Sequence, residues 1–211
     1  MTRPLICIVD YGMGNLRSVI NAFEFIGLRA MITNTPSDLA KASAVVLPGV
    51  GAFGEGMKNL RQAGFVEALS EEVLVKGKPF LGICLGLQFL AKNSLEDGNQ
   101  EGLGWIDGTV ERISYNNPSF RVPHMGWNDV HIERESVLFK GLEDGPIFYF
   151  VHSYHLVVDG EKEVVTSTCW HGETITASVQ KDNMYAVQFH PEKSQRSGLR
   201  LLENFVKLAK E

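Results

Sequence analysis

Three short segments carry residue types that can do chemistry together. The first, Gly82-Ile83-Cys84-Leu85-Gly86, stands where an apolar run ends and a helical pattern begins, the form of a nucleophile elbow with cysteine in place of serine. Such a turn strains the nucleophile's backbone, so the residues two positions either side must be small. It also faces the thiol toward the N-terminus of the following helix, whose positive end favours thiolate. The bland alternative is an inert core cysteine between turn glycines. The second segment, His190-Pro191-Glu192, supplies a base and an orienter. Proline disfavours helical backbone at His190, so the tripeptide is expected to be extended, with imidazole and carboxylate projecting to one side. The third, Pro48-Gly49-Val50-Gly51, follows another apolar run. Its glycines let a backbone N–H be aimed at a developing oxyanion, and the amide of Leu85 is the other donor expected there.

Other groupings carry less. Gly12-Met13-Gly14 starts like a dinucleotide fingerprint, but Arg17 stands where the third glycine belongs, so no nicotinamide or flavin cofactor is expected. His152 and His155 with His190 and Glu192 make a metal site only on paper, so none is expected. Asp10, Met13, His131 and His171 have no reading beyond packing or surface.

The elements that must position these segments alternate. Leu5–Val9, Ala30–Thr33, Ala44–Leu47 and Pro79–Ile83 read as buried strands. Between them fall helical patterns at Leu16 to Ile26, with Asn15 as N-cap and Gly27 at the C-terminal end, at Met57 to Val75 with a break near Gly64, and at Leu85 to Lys92. This alternation predicts an α/β fold with a mostly parallel central sheet and helices on both faces. After Gly98 shorter strand-like pieces follow at 108–113, 129–132, 147–151, 164–168, 175–179 and 184–189, read as antiparallel additions to that sheet in the C-terminal half. A last helix from Gly198 places Leu201, Leu202, Phe205, Val206 and Ala209 on one stripe. With no linker or repeat, residues 1–211 are expected to form a single domain.

Composition sets the outer bounds. The chain has 211 residues, 44% hydrophobic and 21% charged, within the globular norm. Its net charge of −5 argues against nucleic acid or an anionic membrane as the main partner. Three cysteines, Cys7, Cys84 and Cys169, lie far apart with no CxxC pair, which fits a reducing cytoplasm. The apolar run at Leu5–Val9 is too short for a signal peptide or membrane span, so a cytoplasmic location is expected.

With Gly-Ile-Cys-Leu-Gly-Leu-Gln at 82–88, Pro-Gly-Val-Gly at 48–51 and His-Pro-Glu at 190–192, the chain resembles the class I (triad) glutamine amidotransferases over nearly its whole length. Asp-Tyr-Gly-Met-Gly-Asn at 10–15, Pro-His-Met-Gly-Trp-Asn at 123–128 and Tyr-Phe-Val-His-Ser-Tyr at 149–154 make it similar to the glutaminase subunits of imidazole glycerol phosphate synthases. The resemblance implies Cys84 as nucleophile, His190 as proton carrier, Glu192 as orienter, and Val50 and Leu85 as oxyanion donors. It implies L-glutamine held by Gly51, Gln88, Glu96, Ser153 and Tyr154. It further implies a separate (β/α)8-barrel cyclase subunit that receives the ammonia, with Asn15, Trp127, Tyr149 and Lys193 near the interface; a chain of this length leaves no room for an ammonia-using domain of its own. Leu87 departs from the methionine often seen there, an exchange expected to be harmless. Three readings compete: the glutaminase component of an anthranilate- or aminodeoxychorismate-type synthase, a partner-free cysteine peptidase or γ-glutamyl hydrolase, and a catalytically dead binding subunit.

Overall fold

The structure, a computed structural model, describes residues 4–114, 119–160 and 164–209. Four strands open the chain: β1 (Leu5–Val9), β2 (Arg29–Thr33), β3 (Ala44–Gly49) and β4 (Phe80–Cys84). They pair in parallel in the order β2-β1-β3-β4. Their side chains alternate between two apolar layers. Cys7, Val9, Val45 and Leu47 face one layer with Phe53, Met57, Leu60 and Phe65. Ile6, Ile8, Ala44 and Val46 face the other with Val19, Phe23, Leu201, Leu202 and Phe205. A sheet buried on both faces needs strands that are apolar throughout, which is why these runs do not alternate with polar residues. Helix α1 (Leu16–Phe25) covers one face, and α2 (Phe53–Gln62) and α3 (Phe65–Leu69) cover the other.

The helix ends obey local rules. Asn15 caps α1, its side chain accepting from the Ser18 N–H at 3.4 Å, and Gly27 follows with φ +76°. Gly64, at φ +74°, breaks the second helical stretch where expected. That stretch begins at Phe53, four residues before the expected Met57, and closes in a π-helical turn at Ser70–Val75.

Several expectations are corrected. β2 is an edge strand, largely open to solvent, rather than a buried one. The helix expected over Leu85 to Lys92 is a single turn, α4 (Leu85–Gln88), after which the chain forms β5 (Ala91–Ser94). Asn93 and Ser94 favour local hydrogen bonds over helix, and β5 is held by pairing with β6 (Gln100–Glu101) and β7 (Ile106–Arg112). The later strands do not all join the central sheet. β8 (His124–Asp129) and β10 (Ile147–His152) form a separate two-stranded sheet. β11 (Tyr154–Val158), absent from the sequence reading, completes a four-stranded sheet with β7, β5 and β6. Among the described residues, only β9 (His131–Ile132), β12 (Val165–Trp170) and β13 (Thr174–Lys181) extend the central sheet antiparallel, beyond β14 (Met184–Val187). β14 lies parallel to β4. The final helix, α5 (Gln195–Leu208), starts three residues before Gly198. No described helix is long and apolar enough to cross a membrane.

Candidate active site

Parallel pairing brings the carboxyl ends of β3, β4 and β14 to one edge. There Gly49 lies in register with Cys84, and Val187 with Ile83. Cys84 ends β4 with φ +56° and ψ −108°, a conformation a non-glycine residue holds only when its surroundings impose it. The imposition is visible: a Cβ on Gly82 would come within 2.6 Å of the Gly86 carbonyl oxygen, and one on Gly86 would collide with the carbonyl oxygen of Leu47. The elbow glycines are therefore required by backbone contact. The helix that begins after Cys84 is one turn long, shorter than the helix expected from the sequence to face its thiol.

His190 follows β14 with extended backbone, φ −103° and ψ 93°, but Pro191–Lys193 is a 3₁₀ turn and the extended tripeptide is not found. Proline's fixed φ suits the first position of a helical turn, and the turn still closes the pair: His190 Nδ1 lies 2.8 Å from Glu192 Oε1, both side chains almost fully buried. Glu192 accepts from Nδ1–H, which leaves His190 Nε2 buried with no hydrogen-bond partner among the described residues. Burial alone would lower the imidazole pKa. The neighbouring Cys84 and the hydrogen-bonded Glu192 outweigh it and raise it to about 10. Ser194 locks the His190 backbone, accepting from the Tyr149 N–H at 3.0 Å and donating to the His190 carbonyl at 2.6 Å.

Cys84 and His190 open into a cavity of about 370 Å³ that Val50, Gly51, Leu85 and Gln88 also line. Glu96, Ser153 and Tyr154 line it as well, so the expected nucleophile, the expected base and every residue expected to hold substrate or oxyanion meet in one place. Gly51, at φ +96°, holds a backbone conformation that favours glycine. Glu96 Oε2 also accepts from the Phe53 N–H at 2.7 Å, which satisfies the start of α2. A larger hollow of about 560 Å³ beside α5 is lined by neither thiol nor imidazole. Among the described residues no group of three or more His, Cys, Asp or Glu side chains is placed to hold a metal.

Sequence reasoning missed Gln188. It is fully buried, accepts through Oε1 from Gln88 Nε2 at 3.1 Å, and donates through Nε2 to Cys84 Sγ at 3.7 Å. The signal was present as a polar residue inside the apolar run Tyr185–Phe189, since a buried polar group needs a partner.

Of the residues expected at a partner interface, Trp127 and Tyr149 are cross-strand partners in the β8–β10 sheet with ring centroids 5.8 Å apart. Lys193 Nζ sits 5.8 Å from the centre of the Tyr149 ring. Met125, Trp127 and Ile147 on the same two strands are at least half exposed. Asn15 caps α1.

The fold and this site define a class. Residues 7–209 match the family model described as glutamine amidotransferase class-I, and the chain belongs to that family. Its fold is that of a crystallised glutamine amidotransferase, with a TM-score of 0.74 at 23% identity over 97% of this chain and 99% of the other. The imidazole glycerol phosphate synthase subunit HisH 1 of Campylobacter jejuni (strain RM1221) is 48% identical, over 97% of this chain and all of its own length. The HisH subunit of Syntrophotalea carbinolica is 49% identical over 95% of this chain and 98% of its own. Within the class, the chain is thus a member of the HisH family of glutaminase subunits in histidine biosynthesis, and the competing readings give way to that one.

Proposed function

We propose that this chain hydrolyses L-glutamine at Cys84 and passes the ammonia to a cyclase subunit with a (β/α)8-barrel fold. The thiolate of Cys84 attacks the side-chain amide carbon, and the oxyanion that forms is held by the backbone N–H groups of Val50 and Leu85. Collapse breaks the C–N bond as His190 gives its Nε2 proton to the leaving nitrogen. His190 then takes a proton from water, whose oxygen attacks the thioester, and glutamate leaves as the thiol is restored. Glu192 holds the imidazole with Nε2 toward the thiol throughout. Gln88 has both N–H groups committed, to Tyr154 O at 2.9 Å and to Gln188 Oε1 at 3.1 Å. Its Oε1, with the Glu96 carboxylate and the backbone of Gly51, Ser153 and Tyr154, suits the α-ammonium and α-carboxylate of the substrate.

The observation that carries the reading is the convergence of Cys84 and of His190, itself paired with Glu192, on the cavity that Gly51, Gln88 and Tyr154 line. The exposed surface around Trp127, Tyr149 and Lys193 supports docking of the cyclase there, with Asn15 at its margin. Residues 1–211 act as one glutaminase domain, and three free, buried cysteines suit a reducing cytoplasm. No cofactor is required. In the assembled complex, Cys84→Ala is expected to abolish glutamine-dependent synthesis of imidazole glycerol phosphate while synthesis from added ammonia stays near the wild-type rate. Equal loss of both activities would refute this division of labour.

A further inference from the structure

Beside the triad runs a second chain of polar groups, buried at His124 and His152 and half-buried at Asn128, that no catalytic step uses. His124 and His152 are direct cross-strand partners of β8 and β10. His152 Nδ1 lies 2.9 Å from the Tyr154 carbonyl oxygen, His152 Nε2 lies 3.0 Å from His124 Nδ1, and His124 Nε2 lies 3.2 Å from Asn128 Nδ2. Asn128 Nδ2 also donates to the Trp170 carbonyl at 3.0 Å.

The direction of every bond follows from its ends. A carbonyl oxygen only accepts, so His152 carries its proton on Nδ1 and, when neutral, leaves Nε2 to accept. His124 must then donate from Nδ1, which leaves its own Nε2 to accept from Asn128. The Trp170 carbonyl forces that same amide nitrogen at the opposite end. Burial lowers the pKa of His124 to about 4 and of His152 to about 3, and the other ionisable groups that act on them are histidines, so both rings are neutral. Stacking fixes the His124 ring between Phe150, 4.7 Å away, and His171, 4.1 Å away. His171 donates from Nε2 to the Arg121 carbonyl and stays outside the chain.

At the inner end, the Tyr154 carbonyl accepts from both His152 and Gln88, and Gln88 donates to Gln188, whose Nε2 in turn donates to Cys84 Sγ. His152 lines the glutamine cavity, yet both its ring nitrogens are committed, which excludes it as a base. Reversing either tautomer would place two donors or two acceptors face to face in a buried site.

We propose that Asn128, His124 and His152 are positioning residues, a one-way hydrogen-bond relay that holds the Tyr154 carbonyl and the Gln88 amide in the orientation that receives glutamine. The functional half of this inference rests on the glutaminase reading above. The relay begins on β8, the strand that also presents Met125 and Trp127 to solvent, so the surface offered to a partner and the substrate cavity share one chain of oriented protons.

The test has two arms. In the full chain labelled with 15N-histidine, two-bond proton–nitrogen correlation at neutral pH should show His124 and His152 both as the Nδ1–H tautomer. An Nε2–H tautomer at either would overturn the relay, whether or not the chain hydrolyses glutamine, so the two readings fail separately. Asn128→Asp keeps the shape but replaces the donor with an acceptor, which drives a proton onto His124 Nε2. With the cyclase bound, it should raise the glutamine KM about tenfold, the equivalent of ~1.4 kcal/mol, with a much smaller effect on kcat. In a His152→Leu background the same exchange should add nothing further. An unchanged KM in Asn128→Asp, or full additivity with His152→Leu, would reduce these residues to scaffold.

Discussion

Burial would drain the proton from His190; the contacts of Cys84 and Glu192 return it, and the net result is a pKa raised from 6.5 to about 10. An imidazole that keeps its proton through neutral pH suits the step in which it must protonate a leaving nitrogen beside a thiolate. Glu192→Gln removes one of the raising contacts, so the proton is lost at lower pH. The basic limb of the glutaminase kcat/KM profile should therefore move down, and turnover should fall. His190→Ala removes the proton carrier itself and should cost more, about 100- to 10,000-fold. Glutamine binding should change little in either variant. A Glu192→Gln enzyme with the wild-type pH profile would move the orienting role to another group.

At the scale of elements, Cys84 is held by a strand end and a one-turn helix that approach closely enough to exclude even a methyl group. Gly86→Ala sets a Cβ against the Leu47 carbonyl in the centre of β3, where backbone must shift. It should cost about 1–3 kcal/mol in urea unfolding and remove most glutaminase turnover although Cys84 is intact. Gly27→Ala is the control: it bears a positive φ of 76° but has open space around its Cβ, so only the left-handed penalty of about 1–2 kcal/mol applies. Activity should be retained there. If the two variants lose the same stability and both keep activity, the elbow is not sterically enforced.

At the scale of the molecule, the segment Gly49-Val50-Gly51, proposed to supply an oxyanion donor, lies where an outside surface can reach it. Gly49 is the last residue of β3, Val50 is partly exposed and Gly51 holds a positive φ. A flip of one peptide there presents or withdraws a donor, and one donor is worth about 100- to 1,000-fold in turnover. His190 is tied to β10 by its N–H to the Tyr149 carbonyl at 2.9 Å, and Tyr149 meets Lys193 and Trp127 at the surface. The isolated chain is expected to be a poor glutaminase that the cyclase subunit activates, more strongly when that subunit carries its nucleotide ligand. Steady-state turnover for the chain alone, with partner, and with partner plus ligand checks this. Full activity of the lone chain would favour a hydrolase that works without a partner.

What the sequence determined by itself is the local chemistry and the first half of the fold. The continuous apolar runs of β1, β3 and β4 read as strands buried on both faces, Asn15 and Gly27 mark helix ends by their own backbone preferences, and glycines around Cys84 announce a turn that excludes side chains. The tertiary structure decided the rest. Lys92-Asn93-Ser94 lies in a strand because β7 pairs with it, and His124–Asp129 is a strand because β10 does; neither carries that preference in its own residues. The His190–Glu192 pair was legible from spacing, but its 3₁₀ turn was not. Gln188, His124 and His152 read as isolated polar residues until folding removes water from around them. Only then must each find a partner, and the partners lie as far as 104 residues away, as Cys84 does from Gln188.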